Sequence, residues 1–297
     1  MSLVEKLLSL KKEKGALILA HYYQRLEIQR IANFVGDSLE LARFAMGCDS
    51  ELIVFCGVSF MGETASILNP DKKVVLPKIS HCPMASSLKA EMVERAKNLG
   101  PFVAYVNSTV EVKASADICC TSSNVVKVVE RLSSDKVFLG PDKNLAYFAS
   151  RKTGKKVVPV PENGECYVHS QISLSDVLEI KRKHQEALIL VHPECRPEVQ
   201  ELADFIGSTS QMLNFARSCE KDVLAVGTEI GLVQRMQVEN PEKKILPIKE
   251  VVCREMKSIR LEDVLQALVY EKPVVKVPEN IAKKARKSIE AMLCLSG

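Results

Sequence analysis

The chain is one unit written three times, and its cysteines are the first sign of this. Cys82, Cys166 and Cys253 are separated by 84 and 87 residues, and each follows a Val/Leu-Pro strand end by a few residues. A triplicated unit can bring one soft ligand from every copy to a common pseudo-threefold axis. Three thiolates at one point favour a metal ion or a metal cluster.

Other residue types recur at nearly the same interval. Polar side chains after short apolar strands are 86 and 85 residues apart, serines at helix starts are 84 and 86 apart, and glycines are 83 and 87 apart. These sets are His21, Asn107 and His192; Ser38, Ser122 and Ser208; and Gly57, Gly140 and Gly227. The interval therefore belongs to the whole chain and not only to its cysteines.

Each copy contains four short Val/Ile/Leu-rich segments with helical patterns between them. Alternation of buried strands with helices indicates parallel sheets in α/β layers. We therefore predict an α/β fold of three homologous three-layer αβα domains, each with a parallel four-stranded sheet, around a pseudo-threefold axis. The predicted domains are residues 1–84, 85–170 and 171–259, and helices within 260–297 are expected to brace the first domain.

The composition limits the class of protein. Lys and Arg total 41 against 37 Asp and Glu, and the two signs are interspersed, so we expect no nucleic-acid partner. An apolar run of about 20 residues, as a membrane span needs, is missing, and the charged, amphipathic N-terminus does not resemble a signal peptide. We therefore expect no membrane association and a cytoplasmic location. Ten cysteines without a CxxC or CxxxC pair indicate reduced thiols, and any site they form combines distant parts of the chain.

Polar side chains stand where the predicted strands end. The carboxyl ends of parallel strands share one edge, where helix N-termini present N–H groups to ligands. We therefore expect one shared cavity at the axis, with the three cysteines closing one end. Its expected lining is His21, Tyr23, Ser38, Tyr105, Asn107, Ser122, His192, Glu194, Ser208 and Thr209. Ser38 and Ser208 are also expected as helix N-caps, and hydroxyls at helix starts favour an anionic substrate.

These residue types also have ordinary structural roles. A lone free cysteine is commonly a small core residue. That role is expected for Cys48, Cys56, Cys119, Cys120, Cys195, Cys219 and Cys294. Glu194 suits a general base or, equally, an acid stabilised by a helix N-terminus. Tyr23 and Tyr105 are phenol donors for a carbonyl or enol oxygen, and Tyr22 competes with Tyr23 for that role.

A series of ordered motifs runs from about Gly15 to Lys257. It comprises LAHYYQ, GDSLELA, FCGVSFMGETA, HCPMA, YVNST, GPDKNLA, PENGECYVH, HPEC, GSTSQM, GTEIG and VVCREM. With these motifs the chain resembles the quinolinate synthase (quinolinate synthetase A) family. The resemblance implies a triplicated α/β fold around an oxygen-sensitive 4Fe-4S cluster. It also implies a transferase of de novo NAD biosynthesis that condenses iminoaspartate with dihydroxyacetone phosphate to quinolinate, with loss of phosphate and two waters.

The motifs carry the family's roles onto residues of this chain. Cys82, Cys166 and Cys253 would hold the cluster and leave one iron open to the substrate. Glu194 would be the general base, with His192 beside it. His21, Tyr23 and Tyr105 would have catalytic roles, with Tyr23 favoured for acid–base work, and Tyr105 and Asn107 would orient the intermediate. The carboxylates and phosphate would be bound by Ser38, Ser122, Ser208 and Thr209. His169 would lie at the mouth of the cavity.

Four positions depart from the pattern expected for the family. Tyr22 replaces Asn, Ser59 replaces an acid, Glu165 replaces a basic residue or His, and Ser210 replaces Gly. None of the four is a proposed ligand or catalyst. We therefore expect them to alter only entrance polarity and substrate affinity.

Two other functions would use the same cysteines. An iron–sulfur redox sensor or electron carrier explains the thiols but leaves the Ser, His, Tyr and Glu side chains without a role. A structural zinc site normally takes four ligands. As an enzyme, the chain would need a source of labile iminoaspartate, so we expect functional coupling to an L-aspartate oxidase or an aspartate dehydrogenase. A cavity on an internal axis also implies domain movement to admit two substrates.

Overall fold

The computed structural model describes residues 2–295 and contains three four-stranded sheets whose named strands all pair in parallel. The strands are Leu17–His21 (β1), Phe34–Gly36 (β2), Leu52–Cys56 (β3) and Lys73–Val75 (β4) in the first sheet; Phe102–Tyr105 (β5), Ile118–Cys120 (β6), Lys136–Gly140 (β7) and Lys156–Pro159 (β8) in the second; and Leu188–Val191 (β9), Phe205–Ile206 (β10), Val223–Gly227 (β11) and Lys244–Pro247 (β12) in the third. The predicted α/β class with three parallel four-stranded sheets is confirmed.

Helices cover the sheets because their central strands are apolar on both faces, as LIVFC in β3 shows. They are Leu3–Glu13 (α1), Leu26–Ile31 (α2), Ser38–Gly47 (α3), Ser59–Leu68 (α4), Pro83–Ser87 (α5), Ala90–Lys97 (α6), Val110–Ser115 (α7), Val125–Arg131 (α8), Lys143–Thr153 (α9), Leu174–Lys183 (α10), Pro197–Gln200 (α11), Thr209–Ser218 (α12), Ile230–Glu239 (α13), Arg254–Lys257 (α14), Leu261–Tyr270 (α15) and Glu279–Leu295 (α16), with a 3-10 turn at His169–Gln171. One sheet lies in each predicted domain segment, and the exact domain boundaries stay a prediction.

All three sheets have the same strand order: second, first, third, fourth. In each copy, the second strand therefore pairs with one edge of the first strand, and the third strand pairs with its other edge. In such sheets ligands bind beyond the carboxyl ends of the strands at this change of direction. The strand ends at His21, Tyr105 and Val191 are therefore the places where the fold positions a site.

Main-chain hydrogen bonds define which residues of the three copies are equivalent. In each sheet, one residue of the first strand makes two hydrogen bonds with an Asn or Asp located just before the second strand. Its backbone N–H donates to the Asn or Asp side chain, and its carbonyl accepts the backbone N–H of the same Asn or Asp. The pairs are Asn33 with Ile18, Asp117 with Phe102 and Asp204 with Ile189. The copies are therefore offset by 84 and 87 residues, which is also the spacing of the three cysteines.

This offset corrects the three other sets inferred from the sequence. The equivalent residues are His21, Tyr105 and His192; Tyr23, Asn107 and Glu194; Ser38, Ser122 and Thr209; and Cys56, Gly140 and Gly227. Asn107, Ser208 and Gly57 were therefore assigned to the wrong sets. Similar side chains need not share a backbone position, because the register follows from main-chain hydrogen bonds.

The helix starts next to these strands are capped in two different ways. Asp37 caps α3 by accepting the N–H groups of Leu39 and Glu40, so the predicted N-cap at Ser38 is wrong. Ser208 caps α12 as predicted and accepts the N–H of Gln211. A carboxylate one residue before the serine takes the capping role in the first copy, which leaves the Ser38 hydroxyl available for other contacts.

The two C-terminal helices pack on different copies. Helix α15 lies against α1 and β3 of the first copy, as predicted. Helix α16 instead lies mainly against α7 and β6 of the second copy and only partly against α4 of the first, so its predicted place is corrected. Residues 296–297 of the predicted bracing segment lie outside the described residues. Between residues 2 and 295, no helix combines the length and the apolar character that crossing a membrane requires.

A fully buried lysine connects the first and second copies. Lys113 on α7 donates from Nζ to the hydroxyl of Thr64 at 2.8 Å and to the carbonyl of Phe60 at 3.2 Å, both on α4. Burial lowers the pKa of Lys113 from 10.5 to about 8, with opposition from Glu63. The charged lysine is therefore held at this interface at a cost to stability.

Lys113→Met is expected to change how stability depends on pH. Between pH 8 and 10.5 the unfolded chain binds more protons at Lys113 than the folded chain does, so the cost of burying the lysine falls as pH rises. The free energy of unfolding of the native chain, relative to that of the variant, should increase by roughly 3 kcal/mol across this range. Urea unfolding of both proteins at the two ends of the range measures it, and a constant difference would show that Lys113 does not titrate there.

Candidate active site

One internal cavity lies where the carboxyl ends of the three first strands meet. Its wall contains all members of four equivalent sets: His21, Tyr105 and His192; Tyr23, Asn107 and Glu194; Ser38, Ser122 and Thr209; and Cys82, Cys166 and Cys253. The pseudo-threefold repeat therefore delivers side chains from every copy to one place. Of the predicted lining residues, all of which the structure describes, only Ser208 lies off this wall.

Glu194 is the most connected side chain of the site. Its Oε1 accepts the phenol of Tyr105 at 2.6 Å and the amide of Asn107 at 3.4 Å, and its Oε2 lies 2.8 Å from Nδ1 of His169. Burial favours the neutral acid, but His192, His169 and the Tyr105 phenol outweigh it and lower the pKa of Glu194 to about 2. Glu194 is therefore a carboxylate at neutral pH. It precedes α11 and is not among the residues of that helix.

The histidines at the two equivalent strand ends are neutral donors. Burial lowers the pKa of both His21 and His192 to about 3. In each ring Nδ1 accepts a backbone N–H two residues later, from Tyr23 at 3.1 Å and from Glu194 at 3.3 Å. The proton of each neutral ring is therefore on Nε2, which leaves both rings able to donate to an anionic ligand.

His169 lies inside the protein and not at the cavity mouth, which corrects its predicted place. It is fully buried, with Nδ1 at 3.2 Å from the Cys166 sulfur and Nε2 at 3.0 Å from the Thr228 hydroxyl. The Tyr23 phenol lies 2.9 Å from the same Thr228 hydroxyl. A chain of polar groups therefore runs from Tyr23 through Thr228 and His169 to Glu194.

All three cysteines line the cavity, and their environment suits a bound cation. Burial raises the pKa of all three thiols, that of Cys82 to about 11. Buried thiols give up their protons when a metal replaces the lost solvation. Cys82 and Cys253 also start short helices, α5 and α14, whose N–H groups favour thiolates. The donor set therefore fits the metal cluster that the sequence predicts.

Two further observations concern metals and ligands at this site. Ligand atoms of Cys166, His169 and Glu194 lie within 4.8 Å of one another, so a single divalent ion is an alternative occupant of this corner. The side-chain oxygen of Asn107 is buried and has no hydrogen-bond partner within the described part of the chain. An unpaired buried acceptor is costly, so Asn107 is suited to a donor on a bound molecule.

Four of the remaining seven cysteines have the core role predicted for them, whereas Cys48 and Cys219 are partly buried and Cys294 is exposed. Cys56 and Cys120 lie within strands β3 and β6, and none of the seven lines the cavity. The fully buried ones are Cys56, Cys119, Cys120 and Cys195. The equivalent positions of Cys82, Cys166 and Cys253 in the repeat therefore distinguish the cysteines of the cavity wall from the other seven.

Sequence reasoning missed several residues of the wall. Asp37 and Thr121 lie directly before Ser38 and Ser122, and the offset between copies could have identified them. The apolar part of the wall is Val58, Phe60, Met61, Met84, Val168 and Met256, for which the sequence gives no local signal. Ser208 instead donates to Asp37 at 3.2 Å, so it supports the wall from behind.

Comparison with known proteins agrees with this geometry. The family model described as quinolinate synthetase A protein matches residues 5–294. The quinolinate synthases of Pyrococcus horikoshii and Pyrococcus abyssi are 51% and 50% identical over 100% of both chains, and that of Methanocaldococcus jannaschii is 46% identical over 99% of each. The chain belongs to the quinolinate synthase family. The cavity and its three cysteines are therefore those of a quinolinate synthase family member.

The four departures from the expected family pattern all lie off the cavity wall. Tyr22 packs among apolar side chains of the third copy, which leaves Tyr23 as the tyrosine of this pair on the wall. Glu165 pairs with Lys143 at 2.8 Å, and Ser210 donates to Asp37 at 2.5 Å. Ser59 donates to the Ser80 carbonyl at 2.8 Å and borders an outer cleft beside Cys82. All four are thus accommodated by local packing or hydrogen bonds, and Ser59 alone also borders the outer cleft beside Cys82.

Proposed function

We propose that this chain is a quinolinate synthase that condenses iminoaspartate with dihydroxyacetone phosphate to form quinolinate in NAD biosynthesis. The relatives that match it over their full length carry that name. The observation that carries the proposal is the cavity, which combines three cysteines with neutral histidine donors, an ionised glutamate and two protonated tyrosines. The products that balance the reaction are quinolinate, phosphate and two waters.

Cys82, Cys166 and Cys253 would hold a 4Fe-4S cluster in this proposal. Three protein ligands leave one iron of such a cluster without a protein ligand. When bound, the cluster supplies a Lewis acid that eases the loss of hydroxide during dehydration.

Both substrates are anions, and the wall offers neutral donors on every side. The imidazole Nε2 atoms of His21 and His192 suit carboxylates or phosphate, as do the hydroxyls of Ser38 and Thr209 at the starts of α3 and α12. Asp37 accepts hydrogen bonds from the hydroxyls of Ser208 and Ser210. These bonds reduce the negative charge that the Asp37 carboxylate presents to an anionic substrate. In this proposal Ser208 therefore acts through Asp37 and not by contacting the substrate.

Three groups are placed for proton transfer. Burial raises the pKa of Tyr23 and Tyr105 well above 10, so both phenols keep their protons and donate to a carbonyl or enol oxygen. Glu194 is ionised and is the base of the set. The Thr228 and His169 side chains join Tyr23 to Glu194, which gives protons a route between the acid and the base during tautomerisation and ring closure.

The proposal extends to the cellular setting of the reaction. Iminoaspartate hydrolyses readily, so a nearby source is favoured, and we expect coupling to an L-aspartate oxidase or an aspartate dehydrogenase in the cytoplasm. The competing function, an iron–sulfur redox sensor or electron carrier, would leave the polar wall around Glu194 without a role.

Anaerobic reconstitution with iron and sulfide tests the proposal. We expect about four irons and four sulfides per chain, quinolinate from the two substrates, and a change in the electron paramagnetic resonance signal of the reduced cluster when quinolinate is added. Iron-loaded protein that forms no quinolinate would favour the redox function. Protein that binds no iron would contradict both.

A further inference from the structure

Two buried carboxylates each hold the main chain of one cavity cysteine. Asp142 accepts the N–H of Cys166 at 3.0 Å with one oxygen and the N–H of Leu145 at 2.7 Å with the other. Glu229 accepts the N–H of Cys253 at 3.4 Å with Oε1 and the N–H of Gly231 at 2.6 Å with Oε2. Both side chains are fully buried, and both are N-caps, of α9 and α13.

The two carboxylates occupy equivalent positions, since 87 residues separate them. The residue after each donates its N–H to a carbonyl two residues before the cysteine, from Lys143 to Gly164 and from Ile230 to Val251. The first copy has the same bond from Ser59 to Ser80, which places Val58 at the carboxylate position. A valine side chain accepts no hydrogen bond, so the first copy lacks this support.

Cys82 is correspondingly the least supported of the three. Between residues 2 and 295 the structure records no acceptor for its backbone N–H. Cys82 also borders an outer cleft lined by Glu63, His81, Ser86 and Glu111 among others. Cys82 therefore lines both the cavity and this cleft, and it has no carboxylate anchor among the described residues.

The segments after the other two cysteines are tied to each other. The phenol of Tyr167, which follows Cys166, donates to Glu255 Oε2 at 2.5 Å and accepts the N–H of Arg254 at 2.9 Å. Both partners directly follow Cys253. The segments that follow Cys166 and Cys253 are therefore bonded to each other. The segment after Cys253 is also bonded to the first copy, through Arg25 to the Lys257 carbonyl and through Lys78 to the Ser258 carbonyl. Among the described residues, no side-chain hydrogen bond joins the segment directly after Cys82 to either of the other two.

We propose that Asp142 and Glu229 are positioning residues that fix Cys166 and Cys253 as cluster ligands, and that Cys82 is the ligand released first. This inference rests on the proposed function in one respect, that the three cysteines hold a cluster. A carboxylate that accepts two backbone N–H groups fixes the ligand's main chain before metal binds, so less conformational freedom is lost on binding. Outer partners of this kind commonly change metal retention by about ten- to a hundredfold.

Amide substitutions test the role with almost no change in size. In Asp142→Asn and Glu229→Gln, one oxygen becomes an NH2 group that faces a backbone N–H, so one accepted backbone bond is lost. Glu229→Gln also removes the ion pair between Glu229 Oε1 and Lys257 Nζ, which are 3.3 Å apart. Asp142 has no ion pair among the described residues, so Asp142→Asn tests the role without that second change. Asp37→Asn is the matched control, because Asp37 is also a buried N-cap carboxylate with both oxygens in use but contacts no cysteine. Thermal unfolding of the metal-free proteins shows whether all three variants fold.

The experiment is anaerobic alkylation of the iron-loaded protein with iodoacetamide, followed over time by peptide mass analysis. In the native chain we expect Cys82 to be modified before Cys166 and Cys253. In Asp142→Asn the rate at Cys166 should rise about tenfold, and in Glu229→Gln the rate at Cys253 should rise by a similar factor. In Asp37→Asn the order and rates should match the native chain.

Each alternative result contradicts a definite part of the inference. Equal acceleration at all three cysteines would mean that the carboxylates stabilise the fold generally, and unchanged rates would remove their positioning role. Modification of Cys166 or Cys253 before Cys82 in the native chain would overturn the assignment of the first ligand released. A chain that takes up no iron would contradict the proposed function as well, whereas an iron-loaded chain with unchanged rates contradicts this inference alone.

Discussion

Alanine at Cys82, Cys166 or Cys253 is expected to abolish quinolinate formation, with a loss of at least about a thousandfold. In the proposed function, the three thiols on the cavity wall are the protein ligands of the cluster. Removing one leaves two protein ligands, so iron and sulfide content should fall together with activity. Chelation of iron from the native protein should have the same effect on activity.

Iron and sulfide analysis, visible absorbance and product detection by mass spectrometry measure this result on anaerobically prepared protein. Cys219→Ala is the control, because Cys219 is partly buried like the three cavity cysteines but lies off the cavity wall, where its sulfur accepts a backbone N–H from Lys221. It should keep its iron and its activity. Full activity in all four variants would refute the ligand assignment.

Glu194→Gln is expected to lower the rate of quinolinate formation about a thousandfold while the iron content stays unchanged. The carboxylate accepts the Tyr105 phenol and lies at 2.8 Å from His169. Glutamine keeps the size of the side chain but replaces one acceptor by a donor and removes the base. Because Glu194 is not one of the three proposed cluster ligands, its substitution should slow the reaction without releasing the cluster.

Steady-state kinetics together with iron analysis distinguish these roles. Glu201→Gln is the matched control, because Glu201 is a surface glutamate that accepts only the Tyr147 phenol and pairs with Arg151. Its activity should stay within about twofold of the native value. A Glu194→Gln protein that loses its iron would show that Glu194 mainly supports His169 and Cys166, and an active one would remove Glu194 from the mechanism.

Equivalent positions in the three copies carry different chemistry, and this difference is what a substrate without threefold symmetry requires. The set of Tyr23, Asn107 and Glu194 places a phenol, an amide and a carboxylate at one equivalent backbone position on the cavity wall. The set of Val58, Asp142 and Glu229 supplies support to two cysteines and withholds it from the third. The repeat therefore provides the frame, and divergence within it provides the function.

Much of the fold could be predicted because its causes are local. Short apolar strands such as LIVFC and the helices between them follow from the pattern of hydrophobic residues, and the repeat multiplies that pattern. The last helix was harder to place. Helix α16 has one apolar face whichever copy it covers, and only packing against α7 and β6 decides between them.

The candidate site was predictable where one residue type recurs at one position, as with the cysteines. It was less so where similar residues stand one or two positions apart, as Ser208 and Thr209 do. His169 shows the limit most clearly, because its contacts are with Cys166, Glu194 and Thr228, and no pattern in a linear sequence encodes such a meeting. The same holds for Asn107, whose unpaired oxygen is evident only when its surroundings are known.

The sequence by itself determined the α/β class, the threefold repeat, the three cysteines at its axis and the family. These follow from periodic hydrophobicity and from recurring residue types, which are properties of neighbouring positions along the chain. The tertiary structure alone decided the true register of the copies, the burial of His169 beside Cys166 and the unequal support of the three cysteines. Those depend on main-chain hydrogen bonds and on side-chain contacts between separate elements of the fold, such as Asp142 with Cys166 and Tyr23 with Thr228.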